Sequence, residues 1–175
     1  MSGWSVDADD LRDIATALRY EEDGVRLRRA LAKELRDAVA PAVETAKSSI
    51  LSMGDAGLPE EGEPLRAAIA AGVTAKTRLT SRAAGVRVAA SRKGMPRDFV
   101  NAPKRTNRAS GWRHPVPPPR LPKGAEGPRK APQWVRQFGK PGWFDDPLQA
   151  RAAEYRAAVE RVIRDAAERI RRGAR

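Results

Sequence analysis

The chain has no cysteine, so it can hold neither a disulfide framework nor a thiolate metal site. It has one histidine, His114, which excludes a metal centre built from several imidazoles. Aromatic residues make up only 5% of the chain, and the apolar positions lean on alanine. The core is therefore expected to be thin, with burial completed by partner subunits. No stretch approaches the roughly 20 apolar residues needed to span a bilayer. The start, Met1 to Asp7, lacks the basic region and apolar run of a secretory signal. These absences point to a cytoplasm-like compartment and no membrane partner. Nucleophile elbow, P-loop, zinc spacing and a paired-carboxylate pocket are all missing, so no enzyme and no cofactor is expected.

Acid is also scarce where base is abundant. Residues 91–140 carry 13 Lys/Arg against two acids, Asp98 and Glu126. That surplus of 11 is nearly the whole net charge of +12, so the rest of the chain is close to neutral. The same segment holds nine of the 14 prolines and two of the four tryptophans, Trp112 and Trp134. A balanced, helix-rich body is interrupted by a long basic, proline-rich arm. The length of 175 residues suits one domain spanning 1–175, with the 91–140 arm inside it.

Asp7, Asp9 and Asp10 precede Leu11, Ile14, Ala15 and Leu18. Acids in a first turn suit the positive end of a helix dipole, so a short helix is predicted, ending at Gly24. Leu27, Leu31, Leu35, Ala38, Val39, Ala42, Val43, Ala46 and Ile50 then recur at steps of three and four. This predicts an amphipathic helix about 45 Å long if continuous to Met53. Pro41 should kink or split it. Met53 to Gly62 reads as a loop, and Pro64 opens a short helix with Leu65, Ala68 and Ile69. Alternation over 73–80 and 86–90, around a turn at Ala83-Ala84-Gly85, predicts an antiparallel hairpin. A lone hairpin is marginal in water, so this one should pack on the long helix or join a partner's sheet.

Within the arm, Pro115, Pro117, Pro118 and Pro119 favour extended polyproline geometry, and Gly124, Gly127 and Pro128 keep the next stretch irregular. Order should resume at Gln133 to Phe138. Asp145 or Asp146 is expected to cap a helix starting at Pro147, a better reading than cation binding. That helix carries the stripe Leu148, Ala152, Tyr155, Val159, Val162, Ile163, Ala166 and Ile170, with Arg169, Arg171, Arg172 and Arg175 at its end. The fold class is thus α+β. A long N-terminal helix and a C-terminal helix pack on a small antiparallel hairpin, with a long basic Pro-rich loop.

The basic residues Lys104, Arg105, Arg108, Arg113, Lys123, Arg129 and Lys130 have two readings. They neutralise phosphates, or they dock on an acidic protein surface or simply keep the arm solvated. No recognition helix or finger motif supports sequence-specific readout. Trp112 and Trp134 can stack on bases. As bulky rings with large apolar area they serve better as anchors on a protein body. His114, beside Pro115, reads as a hydrogen-bonding loop residue. The alanine seam Ala38, Ala42 and Ala46 fits a subunit interface or internal packing equally well.

The order of elements carries several short motifs: Gly85-Val86-Arg87-Val88, Gly111-Trp112-Arg113-His114-Pro115-Val116, Gln133-Trp134-Val135 and Pro141-Gly142-Trp143-Phe144. Together they resemble the minor tail or tail-completion proteins of long-tailed bacteriophages, which join head to tail. The resemblance implies a non-catalytic α+β subunit of a sixfold ring in the virion neck, assembled in the host cytoplasm. Its implied partners are copies of itself, the adjacent connector or stopper, and the tail terminator or tail tube, with genomic DNA in the lumen. Trp112, His114, Trp134, Trp143 and Phe144 would be its interface anchors. A tail terminator ring and a non-specific nucleic-acid-binding protein remain the alternatives.

Overall fold

A computed structural model describes residues 3–7, 9–19, 24–53, 65–80, 84–95, 97–116 and 133–173. The long amphipathic stripe forms two helices, α2 (Gly24–Ala38) and α3 (Ala40–Leu51), preceded by α1 (Asp9–Ala17). Pro41 lies in the first turn of α3 and causes the split. The chain tightens there: the Val39 N–H bonds to the Arg36 carbonyl and the Ala42 N–H to the Val39 carbonyl. The apolar stripe survives the break. Leu31, Leu35, Val39, Ala42, Ala46 and Ile50 are all buried. The alanine seam at Ala42 and Ala46 therefore packs inside the chain.

After α4 (Leu65–Ala71) come β2 (Val73–Leu79) and β3 (Ala84–Ala90), antiparallel in the register Val73↔Ala90 through Leu79↔Ala84. The predicted hairpin is present, but Gly85 is not its turn. Gly85 sits inside β3, opposite Arg78. The sequence also hides a third strand. β1 (Gly3–Asp7) pairs antiparallel with β3, which becomes central in the order β1-β3-β2. The hairpin is thus completed by the chain's own N-terminus. Val73, Leu79, Ala84, Val86 and Val88 are buried on the helix side, while Thr74, Lys76, Arg78 and Arg87 are exposed on the other side. This is the alternation expected of an antiparallel sheet with one wet face.

The C-terminal helix is also broken. α6 (Asp145–Ala150) ends at Arg151 and α7 (Ala152–Gly173) continues. The N-cap of α6 is Phe144, without a side-chain cap, so the expected Asp145 or Asp146 cap before Pro147 is replaced. The predicted stripe holds: Leu148, Ala152, Tyr155, Val159, Ile163 and Ala166 are buried, with Val162 and Ile170 at the margin. α7 lies along α2. There Arg169 grips Glu34 through two hydrogen bonds of 2.8 and 2.6 Å. That partner holds the Glu34 carboxyl below its ordinary range. The Tyr155 hydroxyl reaches Thr45 of α3 at 3.2 Å. One hydrophobic cluster takes residues from α1 to α7 and from β2 and β3. Among the described residues, no helix is long and apolar enough to cross a membrane.

Candidate interaction site

The basic arm is more structured than its prolines suggest. It contains a 3-10 turn at Arg97–Phe99, α5 (Ala102–Thr106), β4 (Trp112–Val116) and β5 (Gln133–Gln137). β4 and β5 form an antiparallel ribbon, with Trp112 opposite Gln137, Arg113 opposite Arg136 and Pro115 opposite Trp134. Pro115 is therefore a strand residue. Both strands of a two-stranded ribbon are edges, and edges are where a sheet tolerates proline.

A latch fixes the foot of this ribbon to the body. Thr106 is the buried polar side chain among the described residues. Its hydroxyl donates to the Ala102 carbonyl at 2.9 Å and accepts the indole N–H of Trp143 at 3.1 Å. Next to it, Asn107 works in three directions. Its side-chain oxygen accepts the Phe144 N–H at 3.0 Å, its amide donates to Asp145, and its backbone carbonyl accepts the Gly142 N–H at 3.1 Å. Asp145 therefore serves the latch. Two glycines allow the close approach. A Cβ on Gly139 would lie 2.6 Å from the Cα of Thr106, and one on Gly111 (φ +63°) would run into the Gln137 carbonyl. Lys140 adds a third tie. Its ammonium donates to the Ser49 carbonyl and the Ser52 hydroxyl, both at 2.9 Å, at the C-terminal end of α3. A cation is favoured there by the helix dipole.

The expected site residues fall into separate groups. Trp143 and Phe144 are 1% exposed and meet edge to face at 5.4 Å. They anchor the chain's own core, which corrects their reading as partner anchors: both rings are already covered. Trp112 is half-buried at the ribbon's foot, whereas Trp134 is 56% exposed. His114 sits in β4 opposite Val135, and its side chain lies outside what is described. Lys104, Arg108 and Arg113 are exposed, and Arg105 is half-buried. Lys123, Arg129 and Lys130 lie outside the described residues. A cleft of about 140 Å³ opens beside α5, floored by Trp143 and Phe144 and rimmed by Arg92 and Lys104.

Sequence reasoning missed Arg136 and Phe138. Phe138 is 60% exposed just past β5, and Val135 is exposed within it. Arg136 gains its meaning from the register, which places it directly across from Arg113. The available signal was the pair of short β-prone stretches, Trp112–Val116 and Gln133–Gln137, on either side of the proline-rich segment.

No family model matches the chain, and neither a curated protein nor a solved structure does.

Proposed function

We propose that the chain is a structural subunit of the head–tail junction of a long-tailed bacteriophage, a tail-completion protein that assembles as a ring and performs no catalysis. The observation that carries the reading is the β4–β5 ribbon. It is latched at its foot and presents Trp134, Val135 and Phe138 outward. An isolated two-stranded ribbon is marginal in water. One that also exposes large apolar side chains is suited to being covered by a neighbour.

Three of the four motifs behind the family resemblance meet at this place, while Gly85-Val86-Arg87-Val88 lies in β3 of the other sheet. Arg113-His114-Pro115-Val116 lies in or beside β4, Gln133-Trp134-Val135 lies in β5, and Pro141-Gly142-Trp143-Phe144 forms the socket for α5. In this reading Trp134 and Phe138 reach the adjacent subunit or the next ring. The sheet edges β1 and β2 offer further surface to copies of the same chain. A closed heterologous ring needs no self-complementary patch.

Loss of the gene from a producing phage tests this. The lysate should contain filled heads and finished tails that stay apart, and adding the purified chain should join them. Normal infectious particles without the chain would overturn the proposal.

A further inference from the structure

We infer that the arginine face of the β4–β5 ribbon is a binding surface for the phosphate backbone of double-stranded DNA. Residues directly opposite in an antiparallel pair share a face, so Arg113 and Arg136 project together. Both are exposed, and neither has an ion pair or hydrogen bond among the described residues. Like charges directly opposite weaken a ribbon. The arrangement therefore does not serve the ribbon's own stability. An anion between the two guanidinium groups removes the repulsion, and arginine's planar fork matches phosphate geometry.

The surroundings extend the same chemistry. Trp134 precedes Arg136 by two residues and lies on the same face, 56% exposed. Lys104 and Arg108 are exposed on and just after α5, which touches the ribbon's foot where Gly139 meets Thr106. From 99 to 125 the sequence has no acid. A two-stranded ribbon has the width to enter a major groove. The outer face of the other sheet also pairs two cations, Lys76 opposite Arg87, but among the described side chains no exposed aromatic residue accompanies them. That pair supplies a charge-matched control. The inference concerns the chain by itself and stands apart from the joining role.

The test is fluorescence anisotropy of a labelled random-sequence duplex with the full chain between 50 and 200 mM salt. Each phosphate contact contributes about 0.9 to the log–log salt slope, so four contacts give a slope near −3.6 and about a hundredfold loss of affinity across that range. Arg113→Gln with Arg136→Gln should reduce the slope by about 1.8, while Lys76→Gln with Arg87→Gln should leave it unchanged. The arginine double variant relieves repulsion, so its melting temperature should not fall. Absence of duplex binding at 50 mM, an unchanged slope in the arginine variant, or an equal drop in the control variant would each overturn the inference. Binding of polyglutamate with the same affinity and slope would also overturn it, in favour of an acidic protein surface.

Discussion

Thr106→Val isolates the latch. The substitution keeps the shape of a buried side chain and removes the acceptor of the Trp143 indole N–H. That N–H then stays buried without a partner, which costs about 1–3 kcal/mol. The hydroxyl's own donation, shared between the Ala102 and Pro103 carbonyls, matters less, because both carbonyls belong to the same helix turn. For a chain of this length about 2 kcal/mol lowers the melting temperature by about 4–8 °C. Trp143→Ala is a poorer probe. Truncating a buried tryptophan costs about 3–5 kcal/mol, a large part of a typical stability of about 5–15 kcal/mol. Trp143→Phe removes the donor and keeps an aromatic ring. In that background Thr106→Val should cost less than about 1 kcal/mol, so the double-mutant cycle should return a coupling of about 1–2 kcal/mol. Urea denaturation of the four proteins reads all of these values. Equal cost of Thr106→Val in both backgrounds would refute the hydrogen-bond account.

Three further outcomes follow from the same geometry. The Glu34 carboxyl is held below its ordinary value of 4.5 by the hydrogen bond from Arg169, against the opposing effect of burial. Its contribution is therefore complete above that value and is lost as pH falls through the lower folded value. Arg169→Gln should cost about 0.2–1 kcal/mol at pH 7, since the pair is partly exposed, and the difference from wild type should vanish in acid melts. Gly111→Ala places a Cβ against the Gln137 carbonyl at a positive φ, so it should destabilise by more than about 1 kcal/mol and open the ribbon's foot, read as amide exchange in β4 and β5. Lys140→Met removes both hydrogen bonds to the end of α3 and should cost about 1 kcal/mol by urea denaturation, with little change at Arg113 or Arg136.

What could be read from the sequence was what short-range periodicity encodes. The stripe from Leu31 to Ile50, the break at Pro41 and the alternation in β2 are local signals, and each has its counterpart in the structure. β1 was not legible, because five residues starting at Gly3 become a strand only when β3 offers an open edge. Arg136 was silent for a similar reason: its partner is 23 positions away, across the proline-rich segment. The burial of Trp143 is decided by Thr106, 37 residues earlier, and nothing inside Pro141–Phe144 shows which way the ring turns. Asp145 carries a strong capping signal, yet Asn107 claims its carboxylate. In each case a contact distant in sequence outweighed a local preference.

The separation between latch and ribbon face decides how variants of this protein should be read. Trp143, Phe144 and Thr106 are buried and hold α5 to the C-terminal helices, so their loss acts on folding. Arg113, Arg136, Trp134 and Phe138 are exposed and cover little of the core, so their loss acts on whatever the ribbon meets. A defect in particle joining caused by Trp143→Ala would therefore say nothing about an interface. The same defect from Trp134→Ala or Phe138→Ser, with an unchanged melting temperature, would locate one. The two proposed uses of the ribbon share Trp134's face and differ in their salt dependence. Contact with a neighbouring subunit depends on Trp134 and Phe138 and varies little with salt, because apolar burial is not screened. Contact with DNA depends on Arg113 and Arg136 and weakens steeply with salt.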